Sequence, residues 1–255
     1  MRVRFLGTGT SSGVPVIGCE CAVCRSPDER DERTRCSAVI EVRDRVILID
    51  TATEFRLQAL RARLTRVDAV LYTHAHADHF FGLDDLRSFN HLTGRPIPCY
   101  GSPATLATIR QTFSYAFEGP SIGGGKPQIK LIPIDGPFCV GDVDVTPIHV
   151  LHGQMPVLGF RVGRFAYVTD CSEVPPSART ALRDLDVLVL DALRDRPHVT
   201  HLSVSEALQV VQDLRPNRTF LTHIAHDLGH QATNARLPDG VQLAHDDLVV
   251  DVAEE

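Results

Sequence analysis

The chain has 255 residues, a formal net charge of −6, 43% hydrophobic residues and 23% charged residues. That balance excludes an intrinsically disordered chain and fits one large α/β domain. The acidic sign weighs against a broad basic face for extended nucleic acid, and no apolar run approaches the length that spans a bilayer.

The opening Met-Arg-Val-Arg-Phe-Leu-Gly reads as a first strand over Arg2 to Leu6 and carries no signal-peptide pattern, so the cytoplasm is the expected compartment. A small-residue loop, Gly7 to Gly13, follows. Ser37 to Arg43 and Val46 to Ile49 read as a hairpin turning at Arg43-Asp44-Arg45. Apolar residues at Phe55, Leu57, Ala59, Leu60 and Leu64 predict a helix over 54–64. Ala69 to Tyr72 is a short apolar run that reads as a buried strand delivering the chain to His74. A helix over 82–89, a strand over 96–100 and a helix over 104–113 come next, then a Gly-rich loop over 118–125. Strands are predicted over 129–134, 143–149, 158–162 and 165–169, a helix over 178–185 and a buried strand over 187–190 ending at Asp191. The helix predicted over 204–214 has Ser203 or Thr200 as candidate cap, and a last strand over 219–222 stops before His223.

Two clusters carry chemistry. In Thr73-His74-Ala75-His76-Ala77-Asp78-His79, four potential ligands lie within six residues, spaced by alanines. In an extended turn His74 and His76 project to one side, while Asp78 and His79 open a helix and face a second cation. Such density of His and Asp is the signature of a metal site. In Cys19-Glu20-Cys21-Ala22-Val23-Cys24, three thiolates supply three corners of a tetrahedral structural zinc site. An odd total of seven cysteines in a chain expected in the cytoplasm argues against a disulfide framework. His226, three residues past His223, is the candidate fourth ligand, one helical turn away if a helix begins there.

His-x-His-x-Asp-His directly after an apolar strand resembles the metallo-β-lactamase superfamily. The resemblance implies a single-domain, four-layered αβ/βα sandwich of class α/β over residues 1–255. It also implies two divalent cations, Mn or Zn, at the edge of two facing sheets, with a zinc-binding loop inserted at about 18–36. It further implies a histidine after the middle strands, for which His152 is preferred over His149 because ligands gather at strand ends, a bridging carboxylate at Asp170, and a last ligand at His223. Asp50, closing Leu-Ile-Asp-Thr, is expected to orient ligands from behind. Gly-Thr-Gly-Thr-x-x-Gly-Val-Pro followed by Gly-Cys-Glu-Cys-x-x-Cys is similar to the PhnP-type phosphodiesterases of phosphonate breakdown, which implies opening of a small ribosyl cyclic phosphate and, by family habit, a homodimer.

Four cationic charges set against Asp78 and Asp170 favour an anionic phosphodiester, attacked by a bridging water deprotonated near neutral pH. Asp78 counts among the catalytic residues as well as the ligands. His201, in Thr200-His201-Leu202-Ser203, aligns with a catalytic histidine of the PhnP type and is the candidate general acid, with His198 as fallback. Rival readings are a PqqB-like accessory protein of cofactor biosynthesis, which resembles the N-terminal stretch, and a ribonuclease Z type, whose long basic arm is not visible here. A thioester hydrolase or β-lactamase would leave the cysteine cluster unexplained.

Overall fold

The computed structural model describes residues 1–119 and 125–253. Among these, two seven-stranded sheets face each other. The strands of the first half are β1 (Arg2–Gly7), β2 (Ser37–Val42), β3 (Arg45–Ile49), β4 (Ala69–Leu71), β5 (Ile97–Gly101) and β6 (Ile129–Pro133). Those of the second half are β7 (Phe138–Val140), β8 (Val143–His152), β9 (Met155–Val162), β10 (Phe165–Val168), β11 (Val187–Asp191), β12 (Arg218–Thr222), β13 (Val241–Leu243) and β14 (Val249–Asp251). One sheet runs β14-β1-β2-β3-β4-β5-β6 and the other β13-β12-β11-β10-β9-β8-β7. The helices are α1 (Phe55–Arg61), α2 (Ala77–Phe80), α3 (Leu86–Thr93), α4 (Pro103–Thr112), α5 (Ser114–Phe117), α6 (Pro176–Ala181), α7 (Val204–Leu214) and α8 (His230–Asn234), with a 3-10 turn over Phe81–Asp85.

Side-chain alternation builds the layers. Val3, Phe5, Ile40, Ile47 and Leu71 of one sheet meet Val145, Phe160, Tyr167 and Val189 of the other in a central core. The opposite faces pack on helices: Leu48, Val70 and Cys99 against Phe55, Leu86, Phe89 and Ile109, and Val168, Leu188 and Leu190 against Ala178, Leu182, Ala207 and Val210. Three apolar layers thus separate four layers of structure, the αβ/βα sandwich that the resemblance implied. Phe160 is fully buried between the sheets. Phe160→Ala is expected to cost about 3–5 kcal/mol, read as a lower urea midpoint at unchanged slope; a midpoint within 0.2 M of wild type would contradict this account of the core.

The hairpin turn is the one expected, and Arg43 and Asp44 both take positive φ (45° and 57°), the pattern of a two-residue turn between twisted strands. Helix α7 spans the predicted residues, closed by a capping box between Ser203 and Glu206. Three differences have clear causes. The segment over 82–89 splits into a 3-10 turn and α3, which continues to Thr93 and ends at Gly94 in the left-handed region. The helix near 178 starts at Pro176, whose fixed φ suits a first turn. Strands β7, β13 and β14 have three residues each, too short for any periodicity to mark. The predicted loop over 118–125 falls, for residues 120–124, outside the described residues. No helix among the described residues is long and apolar enough to cross a membrane.

Candidate active site

Parallel strands end where the candidate ligands begin. In one sheet β3 delivers Asp50 and β4 delivers Thr73-His74; in the other β10 delivers Asp170, β11 ends at Asp191 and β12 delivers His223. This is the carboxyl edge where α/β sheets place ligands. Asp50, Asp170 and His223 all have positive φ (58°, 51° and 60°), so three strand exits bend through the left-handed region to turn their side chains into one space.

The structure brings together His74, His76, Asp78, His79, His152, Asp170 and His223. Ligand atoms of His74, His76 and Asp170 lie within 4.8 Å of one another, and so do those of Asp78, His79 and His223. Asp170 stands between the groups: its carboxylate is 3.2 Å from His79 Nε2, 3.4 Å from His223 Nε2 and 3.7 Å from His74 Nε2. His152 joins through its ring, 5.2 Å from that of His76. It lies an odd number of residues from His149, so the pleat turns the two to opposite faces, and His149 is exposed. His76 is exposed as well, which marks the open side.

Two observations show that this residue set fits cations. His74 Nε2, His79 Nε2 and His223 Nε2 are buried and have no hydrogen-bond partner, a costly state for a nitrogen that nothing coordinates. On His74 and His79, and on His152, the opposite ring nitrogen is engaged, whereas His223 Nδ1 has no hydrogen-bond partner among the described residues. His79 Nδ1 donates to Asp50 Oδ2 at 2.7 Å, His74 Nδ1 to Thr73 Oγ1 at 3.0 Å and His152 Nδ1 to the Thr200 carbonyl at 2.6 Å. Each such bond fixes the tautomer that leaves the Nε2 lone pair inward. Asp50 also accepts from Thr73 N and Thr73 Oγ1, both at 2.8 Å, so one buried carboxylate sets two ligands.

The electrostatics agree. Burial opposes charge on Asp170, but His223, His79 and His74 hold it ionised, well below the usual carboxylate range. Asp78 is likewise lowered against burial by His223 and His79. In return His79 is raised well above an ordinary imidazole, because Asp170 and Asp50 outweigh its desolvation. The field that draws a proton there draws a cation equally.

His201 lies within 4.8 Å of ligand atoms of His152 and Asp170, and its ring centroid is 4.5 Å from His152 and 4.6 Å from His223. Its Nδ1 meets Asp191 Oδ1 at 3.2 Å. Asp191 is fully buried, accepts Leu202 N at 3.0 Å and Asp170 N at 3.2 Å, and was given no role from sequence. Its signal was available: three adjacent parallel strands end at one level, and two of the three ends had already been assigned.

The structure brings His226 beside the cysteine cluster. Cys19, Cys21 and Cys24 Sγ lie 3.3, 3.4 and 3.5 Å from His226 Nδ1. Ligands on a tetrahedral zinc at about 2.1–2.3 Å stand about 3.5 Å apart, so these four residues have the spacing that such an ion would need. The Cys24 amide draws the Cys21 thiol down to about 6, whereas desolvation pushes Cys24 up to about 11. The conditional helical turn between His223 and His226 is not what forms. Ile224 bridges Gly9, its amide donating to the Thr8 carbonyl at 2.9 Å, so backbone hydrogen bonds go across to the N-terminal loop instead of along a helix. Cys24→Ser is expected to cost about one bound zinc per chain and about 5–10 °C in Tm, read by elemental analysis and calorimetry; full zinc content and unchanged Tm would exclude the site.

A model of the β-lactamase superfamily domain matches residues 45–224. Across its whole length the chain is 36% identical to an octanoyltransferase of Porphyromonas gingivalis, and it spans about half of that relative (52%). A crystal structure of a diphosphatase from the PhnP family shares 40% identity and superposes with a TM-score of 0.93, covering 99% of this chain and 98% of that one. Zinc-bound PqqB from Methylobacterium extorquens, at 20% identity and TM-score 0.81 over 99% of this chain and 100% of that one, shares the fold. The chain belongs to the metallo-β-lactamase superfamily and within it is a PhnP-like protein.

Proposed function

We propose that this protein is a metal-dependent phosphodiesterase acting on a small anionic substrate, with a cyclic ribosyl phosphate or similar cyclic nucleotide as the leading candidate. The observation that carries this is the pairing of two cation-binding groups around Asp170 with a separate histidine, His201, held from behind by a buried carboxylate. His74, His76, His152 and Asp170 would hold one divalent cation, and Asp78, His79, His223 and Asp170 the other. When bound, such a pair lowers the pKa of water toward neutrality and neutralises phosphoryl oxygens.

The chain's own residues supply the rest. Asp78 and Asp170 offset two of four cationic charges, and the surplus favours an anionic substrate. Asp191 accepts from His201 Nδ1, which orients the ring and leaves Nε2 to deliver a proton to the leaving oxygen. Asp50 and the Thr200 carbonyl fix the orientation of His79 and His152. Exposed His76 leaves the mouth open to a small substrate.

A second reading has one observation in its favour: the 40%-identical relative is a diphosphatase. A phosphoanhydride is cleaved by the same in-line displacement, so the residue roles carry over unchanged. The octanoyltransferase name belongs to a protein about twice this length and carries no argument for this site.

The test is hydrolysis of bis(p-nitrophenyl) phosphate by metal-stripped protein reloaded with Mn or Zn. Turnover that appears only on reloading supports the proposal. Silence on phosphodiesters and diphosphates, with cleavage of a thioester or lactam, would move the protein elsewhere in the superfamily. Silence on every ester would favour a PqqB-like accessory role.

A further inference from the structure

At the edge of the second sheet opposite the candidate ligands lies an open cavity of about 1000 Å³, whose lining includes Arg164, Arg183, Asp184, Gln212, Asp213 and Arg215. Arg164 precedes β10, Arg183 and Asp184 lie between α6 and β11, and Arg215 caps α7 just before β12. The cavity therefore sits where these parallel strands begin, whereas Asp170, Asp191 and His223 stand where they end. Arg164 and Asp170 are six residues apart, so the two edges are separated by about 20 Å of extended chain.

The charge here is unspent. The guanidinium groups of Arg164, Arg183 and Arg215 make no hydrogen bond or ion pair among the described residues. Arg164 Nε is also buried, and a buried donor with no acceptor is costly. Of the two carboxylates in the lining, Asp213 already pairs with Arg179, which leaves Asp184 against three cations. In a chain of net charge −6 this is a local inversion of sign. Arg215 adds a second observation. It closes α7 at φ 53° and ψ 51°, a left-handed cap that glycine fills freely and that a β-carbon makes unfavourable. The fold thus keeps a strained arginine at the cavity where an unstrained, uncharged residue would end the helix equally well.

We propose that this cavity is a second binding site, and that it takes a small sugar or polyol carrying two phosphate groups. Arginine forks match phosphate oxygens two bonds at a time, and three forks exceed what one phosphate requires. Asp184 and the Gln212 amide oxygen are acceptors, which a sugar's hydroxyl groups satisfy and a bare phosphate ion does not. The volume suits a small molecule and not an inorganic ion. None of these residues touches the metal centre, so the inference stands apart from the phosphodiesterase reading.

The probe is fructose 1,6-bisphosphate, titrated calorimetrically into metal-loaded protein. Binding is expected with a Kd below about 1 mM. The bound sugar phosphate should shield Arg183 and Arg215 from phenylglyoxal, read by mass spectrometry of the labelled peptides. Arg183→Ala and Arg215→Gly should each weaken binding about tenfold or more. Arg215→Gly relieves the left-handed cap and should melt no lower than wild type, which separates lost binding from lost folding. Absence of binding would overturn the proposal. So would a Kd unchanged in both variants with no shielding of either arginine, since the sugar phosphate would then be bound elsewhere, the metal centre included. Equally tight binding of citrate, through the same arginines, would overturn the assignment to phosphate.

Discussion

Asp170→Ala is expected to abolish turnover of bis(p-nitrophenyl) phosphate, with a loss of about 10³-fold or more in kcat/KM, and to lower the bound divalent metal from about two per chain to one or none. This carboxylate belongs to the group of His74 and His76, stands against the group of Asp78, His79 and His223, and lies within 3.7 Å of three inward-facing imidazole nitrogens. Removing it leaves Asp78, 3.3 Å from His79 Nε2 and 3.8 Å from His223 Nε2, as the carboxylate beside those nitrogens, in a site that is almost fully buried. Because position 170 has positive φ, alanine there adds backbone strain that is unrelated to metal binding. Asp170→Asn separates the two effects: it tolerates that conformation and keeps the shape while losing the charge. Activity loss in both variants with a near-wild-type Tm in Asp170→Asn assigns the effect to the metal centre. Activity within tenfold of wild type in both would sink the two-cation reading.

The second large effect belongs to His201. His201→Ala should lower kcat about 10²- to 10⁴-fold on a diester with an alkoxide leaving group, the range of a positioned general acid. On bis(p-nitrophenyl) phosphate the loss should be far smaller, because nitrophenolate departs without a proton. Asp191→Asn should follow the same pattern at about 10- to 100-fold, since it acts only by orienting the His201 ring. The readout that separates this from general damage is the dependence of rate on leaving-group basicity, which should steepen in both variants. A slope identical to wild type would remove His201 from proton transfer and return it to the group of residues that bind the cations, within whose 4.8 Å reach it lies.

Much of the site could be read before any fold was known, and the reason is local. His74, His76, Asp78 and His79 are separated by one or two residues, so an extended turn running into α2 fixes their relative placement whatever surrounds them. The same holds for Cys19, Cys21 and Cys24. The strands, too, could be read from alternation and from the short apolar runs that became β4, β10, β11 and β12, whereas their stacking in four layers was implied by the family resemblance.

Tertiary structure decided everything that depends on contacts across long chain separations. It brought His226 to cysteines more than 200 residues away by bridging Ile224 to Gly9 and not by winding a helix. It added β13 and β14, whose pairing energy comes from neighbouring strands and not from their own three residues. It set Asp50 on His79 and Asp191 on His201. A lone aspartate at a strand end has no periodicity and no motif. Its role exists only once parallel strands are in register and a partner from another part of the chain stands opposite, because a hydrogen bond of about 3 Å constrains space and not sequence.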